Sequence, residues 1–163
     1  MSDRVLHRTL IGLALIGLGI AGYLTYIHYQ GLDPICAVGH GCEKVQNSKY
    51  AKVSGVPVPL IGLIGYVAIL VSLFVRGELA RLATAAMAYG GVAFSAYLTY
   101  LELFEINAIC QWCVGSAIVM TLIAIVATIR VLNAPDEKEA EAVPPPPSPP
   151  PSRVSAGPEH EPV

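Results

Sequence analysis

The chain has 163 residues, 54% hydrophobic and only 13% charged, with a mean hydropathy of +0.58. A soluble domain of this size does not carry so apolar a composition, so many of these side chains must face lipid. A formal charge of −2, with ten Lys and Arg residues scattered between apolar segments, offers no basic surface for nucleic acid.

Four segments free of Asp, Glu, Lys, Arg and His follow in chain order: residues 9–27, 53–75, 82–101 and 106–129. Each is close to the roughly 20 residues that cross a bilayer as a helix. The expected fold is therefore an all-α membrane protein, a four-transmembrane-helix bundle with an extracytoplasmic capping loop. Pro57 and Pro59 suit a first helical turn and predict that the second helix starts near Leu60, giving the shortest span. The lack of ionisable groups within the spans argues against a transporter or channel.

Arg4, Arg8, Arg76, Arg81, Arg130, Lys138 and Arg153 flank the spans on one side, and Lys44, Lys49 and Lys52 on the other. The positive-inside rule then makes both termini cytoplasmic and puts residues 29–52 and 102–105 outside, with the cell membrane as the expected location. No A-x-A cleavage pattern follows the first apolar run, so it reads as a retained span rather than a signal peptide. Residues 22–36, GYLTYIHYQGLDPIC, also echo residues 96–110, AYLTYLELFEINAIC. If the two are equivalent, the first and third helices each deliver a cysteine just beyond the outer face; the alternative is chance similarity between apolar stretches with interfacial Tyr. Domain organisation reads as residues 1–133, the four-helix transmembrane domain, then residues 134–163, whose acidic and proline-rich composition predicts a disordered cytoplasmic tail.

Four cysteines outside a membrane point to disulfide chemistry. Cys110-Gln-Trp-Cys113 falls at the start of the last span, where free N–H groups and the helix dipole stabilise a thiolate. Cys36 and Cys42 lie in the long outer loop with Gly39, His40 and Gly41 between them, a spacing that permits a disulfide in a mobile segment. The arrangement reads as a relay. Thiols of a soluble protein reduce Cys36–Cys42, Cys42 exchanges with Cys110, and Cys110/Cys113 pass two electrons to an acceptor in the bilayer, for which a quinone is the natural candidate. No nucleotide, flavin or haem motif is present, and no metal is expected. Two structural disulfides without turnover, or a four-thiolate zinc site, are alternative readings; the six-residue step from Cys36 to Cys42 departs from usual zinc spacing. Trp112 reads either as an interfacial anchor or as a quinone contact, Tyr23, Tyr26, Tyr97 and Tyr100 as belt and packing residues, and His28 and His40 as outer-face histidines.

Cys36-x5-Cys42-Glu-Lys-Val, then Ser48-Lys-Tyr-Ala, Gly55-Val-Pro-Val-Pro-Leu-Ile-Gly62 and Cys110-Gln-Trp-Cys113, resembles the vitamin K epoxide reductase family in its bacterial form over roughly Leu10 to Leu132. The order of pairs separates the chain from the DsbB type of quinone-linked oxidase, whose C-x-x-C lies in the first outer loop. The resemblance implies four helices around a quinone (menaquinone or ubiquinone), with Cys113 quinone-proximal, Cys110 its partner, Cys36 the residue that meets the soluble protein, and Ser48 supporting the redox site by hydrogen bonding. It further implies reoxidation of an extracytoplasmic thioredoxin-fold, DsbA-like protein. The tail stands where many bacterial relatives carry a fused thioredoxin-like domain, so that partner is expected to be a separate protein. Val58 and Ala117 occupy the positions where animal members hold the quinone oxygens with Asn and Tyr, which weakens the alternative of epoxide reduction.

Overall fold

A computed structural model of the chain describes residues 3–36, 41–53, 55–75 and 77–133. The proline-rich segment 134–163, and residues 37–40 with His40, lie outside them. Helix α1, Asp3–Gln30, is followed by a non-helical stretch to Cys36, and the short α2 spans Gly41–Gln46. A 3₁₀ turn, Lys49–Ala51, and a two-stranded hairpin follow, in which β1, Lys52–Val53, pairs antiparallel with β2, Val56–Pro57. The long helices α3, Val58–Phe74, α4, Glu78–Leu101, and α5, Gln111–Leu132, complete the chain.

α1 packs against α3 and α5, and α4 packs against α5 and α3, so the four long helices close into a ring. Its core is built from Leu10, Ala14 and Ala21 of α1, Tyr66 and Ile69 of α3, Ala88 of α4, and Met120, Ile123 and Ala127 of α5. Elsewhere the helices leave large apolar side chains outward, among them Leu15, Ile64, Val71, Leu79 and Ile125. An outward apolar face costs free energy in water and none in lipid. α1, α5, and α4 with the turn that extends it are each long and apolar enough to cross a membrane; α3 is shorter, at 17 residues. At the end where α1 starts and α5 stops, Arg130 Nε donates to Asp3 Oδ1 at 2.9 Å. Between α3 and α4, the hydroxyls of Ser72 and Thr84 hydrogen-bond at 2.8 Å.

Three boundaries differ from the sequence expectation. α3 begins at Val58 rather than near Leu60, because Pro57 precedes the helix and Pro59 fits its first turn, where a missing N–H costs nothing; Val53, Val56 and Pro57 belong to the hairpin and not to the span. Residues 102–105 are not a loop. Glu102–Ile106 prolong α4 as a π-helical turn, a widening found mostly at functional sites. The last span starts at Gln111, not at residue 106, because Asn107 takes a left-handed conformation (φ 51°) that breaks the helix, and residues 108–110 run without helix into α5.

Candidate functional site

Cys110 caps α5 from an extended conformation and Cys113 sits three residues on, in its first turn, so the sequence placement of the C-x-x-C at a helix start holds. The Val114 N–H donates to the Cys110 carbonyl at 3.0 Å and closes that turn. Both sulfurs are free thiols; Cys110 is fully buried and Cys113 partly so. A hydrogen bond from the Cys113 thiol, backed by the Cys113 and Trp112 N–H groups, holds the Cys110 thiol below its ordinary range, against burial and the neighbouring Glu102.

Cys36 and Cys42 form a disulfide with Cα atoms 6.2 Å apart. The described part of this loop is anchored rather than loose. The Ile35 carbonyl accepts Trp112 Nε1–H at 2.9 Å and Gln111 Nε2–H at 3.4 Å, and the Ile35 N–H donates to the Tyr23 hydroxyl at 3.2 Å. Tyr23 and Trp112 pack with ring centroids 5.0 Å apart. On the other side of the disulfide, Gly41 lies so close to the Ile109 carbonyl that a Cβ at position 41 would overlap it. Cys42 follows Gly41 and Cys110 follows Ile109, and both cysteines are shut off from solvent. The backbone contact therefore brings the two pairs to one place.

Beneath Cys113 a cavity of about 320 Å³ opens between the four helices. Its walls are Leu24 of α1, Gly62 and Tyr66 of α3, Phe94 of α4, Ser116 and Met120 of α5, and their neighbours, with Cys113 at the end near α2. Its volume and apolar lining fall at the lower end of small-molecule sites, which usually measure about 300–1,000 Å³. Tyr66, almost completely buried, bonds its hydroxyl to the Ser116 carbonyl at 3.1 Å and to Ser116 Oγ at 2.9 Å, a polar station within that wall. A second, smaller cavity of about 40 Å³ touches Ser48, Val58, Glu102 and the other side of Cys113. Ser48 donates to the Val45 carbonyl at 2.8 Å. Trp112 is not among the residues lining the larger cavity.

Two groups at this site escaped the sequence reading. Glu102 was visible only as part of an acidic loop, yet it is 3% exposed and its Oε2 accepts the Cys110 N–H at 3.1 Å. Tyr66 was hidden by its surroundings; a lone tyrosine in the middle of an apolar span, four residues after Gly62, was the available signal. Of the outer-face tyrosines, Tyr26, Tyr97 and Tyr100 are more than half exposed, as a belt requires, whereas Tyr23 buttresses Trp112. No group of three or more His, Cys, Asp or Glu able to hold a metal occurs among the described residues.

A ring of apolar helices with a dithiol and a disulfide meeting at one end defines a helical-bundle thiol–disulfide redox architecture. The model of the vitamin K epoxide reductase family matches residues 8–128, and the chain belongs to that family. Among curated proteins it is similar to the thiol-disulfide oxidoreductase LTO1 of Arabidopsis thaliana, with 51% identity over 45 residues. That match covers 27% of this chain and 12% of the plant protein, so the chain aligns with only a small part of its length.

Proposed function

We propose that the protein is a thiol:quinone oxidoreductase of the cell membrane, which reoxidises a soluble extracytoplasmic thioredoxin-fold protein of the DsbA kind and so supports disulfide bond formation. The observation that carries this reading is the position of Cys113. Its thiol interacts with Cys110 on one side and lines the large apolar cavity on the other, while the Gly41–Ile109 contact holds Cys42 next to the same pair.

The partner's thiolate attacks Cys36, the half-exposed end of the outer disulfide, and the partner leaves oxidised. Cys42, now a thiolate, attacks Cys110, and Cys36 then resolves the mixed disulfide. Once Cys36–Cys42 is closed and Cys110 and Cys113 are reduced, the electrons rest on the inner pair. A quinone ring in the cavity supplies a two-electron acceptor soluble in lipid. The chain itself contributes an apolar slot, the Tyr66–Ser116 hydroxyl pair in its wall, and a reduced thiol at its end. Val58, in the wall of both cavities, has no side-chain group to hold a quinone oxygen, so the animal-type quinone clamp does not carry over at that position.

All four long helices span the bilayer in this reading, and α3, at 17 residues, makes the shortest crossing. Arg4, Arg81 and Arg130 line a cleft at the end of the bundle opposite the thiols, which supports a cytoplasmic assignment for that end.

The direct test is quinone-dependent oxidation of a reduced DsbA-like protein by the purified chain. Turnover that requires both quinone and the cysteine pairs is the expected result. A protein with purely structural disulfides gives none, and an epoxide reductase instead consumes thiols only when an epoxide is supplied.

A further inference from the structure

Oxidation of a dithiol moves protons as well as electrons, and the buried end of the relay has one carboxyl beside it. Glu102 Oε2 accepts the Cys110 N–H, the Glu102 side chain also interacts with the Cys113 thiol, and both residues line the small cavity. Among the described residues no Lys or Arg pairs with it. Around it, Cys110 at the cap of α5 and Cys113 in its first turn face it, and the Cys42 sulfur of α2 is held in the disulfide. The Tyr50 hydroxyl is engaged by Glu105 at 3.1 Å, while Glu43 and Lys44 line a separate cleft with Asn107 and Ala108. A carboxyl in this position is not a surface charge. It also repels a thiolate at Cys110, so its protonation state and that of the pair are linked.

We propose that Glu102 is the proton carrier of the Cys110/Cys113 pair, a catalytic residue that protonates Cys113 as the pair is reduced and takes that proton back as the pair is oxidised. The proposal rests on the thiol:quinone reading and adds the proton path to it. When Cys42 Sγ attacks Cys110 Sγ, the Cys110–Cys113 bond breaks and its electron pair leaves on Cys113 Sγ, which takes the proton of Glu102. Attack of Cys36 on Cys42 then closes the outer disulfide and frees Cys110 as a thiolate, with the two protons of Cys36 and Cys42 released to water. In the oxidising half the Cys110–Cys113 bond re-forms and the Cys113 proton returns to Glu102. Two electrons pass to the quinone, and two protons from water complete the quinol. Glu102 ends as it began, and the π-helical turn is what aims it inward from the end of α4.

The test has a readout that needs no quinone. Infrared difference spectra of the full chain, poised between its dithiol and disulfide forms, should show a protonated-carboxyl band that changes with the redox state of the pair. Glu102→Gln keeps an oxygen for the Cys110 N–H and should abolish that band. In turnover, Glu102→Gln should slow the quinone-dependent step about a hundredfold and remove one limb of its pH profile, and Glu102→Asp should restore part of both. No redox-linked carboxyl band in the wild type, or a band that survives Glu102→Gln, overturns the proposal. So does a Gln variant within threefold of the wild-type rate, or Gln and Asp variants equally slowed with an unchanged pH profile. A wild-type chain that shows the band yet oxidises no protein thiol with quinone overturns the function reading instead.

Discussion

The indole N–H of Trp112, the residue between Cys110 and Gln111 on one side and Cys113 on the other, donates to the carbonyl of Ile35, the residue before Cys36, at 2.9 Å. One hydrogen bond thus ties the chain leading to the outer disulfide to the turn that carries the inner dithiol. The residue filling the C-x-x-C is therefore a mechanical link between the pairs, and it gives the first prediction.

Trp112→Phe keeps an aromatic ring beside Tyr23 and removes the N–H together with part of the indole. It should cost about 1 kcal/mol of stability and slow transfer from the outer to the inner pair several-fold, while quinone oxidation of a reduced Cys110/Cys113 pair proceeds as before. Rapid acid quench with thiol counting separates the two steps.

Gly41→Ala places a methyl group where the Ile109 carbonyl lies. Overpacking of this kind costs roughly 1–3 kcal/mol and should push α2, with Cys42, away from Cys110. In a Cys113→Ala background, where Cys110 cannot close a disulfide with Cys113, its thiolate attacks Cys42 of the outer disulfide and the Cys42–Cys110 mixed disulfide should accumulate on non-reducing gels. Adding Gly41→Ala should deplete it. Equal trapping with and without the methyl group would rule out the contact as the alignment device.

Cys36→Ala and Cys42→Ala should each stop oxidation of the soluble partner, yet leave the C-x-x-C pair open to oxidation by quinone. Membranes bearing either variant that oxidise the partner at the normal rate contradict the relay.

Cys110 sits below the ordinary thiol range, chiefly through its hydrogen bond from Cys113. With a lowered folded-state value, the unfolded chain binds more protons than the folded one between that value and the ordinary thiol range. The reduced protein should therefore gain stability as pH rises through that window and lose it as pH falls through the folded-state value. Thiolate absorbance should persist below the pH at which a free cysteine loses it, and Cys113→Ala should move the Cys110 transition upward. An unchanged titration in that variant would show that the bond from Cys113 is not the cause.

Tyr66→Phe removes the hydroxyl that Ser116 engages and leaves the aromatic wall of the cavity. A loss of about 1 kcal/mol is expected, read by thermal unfolding in detergent, together with a higher KM for quinone. Gly17→Ala instead drives a methyl group into the Tyr66 ring and should destabilise the bundle by roughly 1–3 kcal/mol.

The sequence by itself determined what depends on local pattern. Charge-free runs located the apolar helices to within a few residues, and the C-x-x-C before the last run put its thiols at a helix start, where Cys110 and Cys113 are found. Proline positions located the beginning of α3 to within two residues. Only the tertiary structure decided how the cysteines meet. Glu102 became a buried partner of Cys110 through the π-helical turn and the left-handed Asn107, and such breaks depend on packing between α4 and α5 rather than on hydropathy. Tyr66 lined a cavity, and Gly41 touched Ile109, for the same reason: contacts between residues 50 or more positions apart are set by which helix faces which, and a one-dimensional pattern of apolar residues carries no record of that choice.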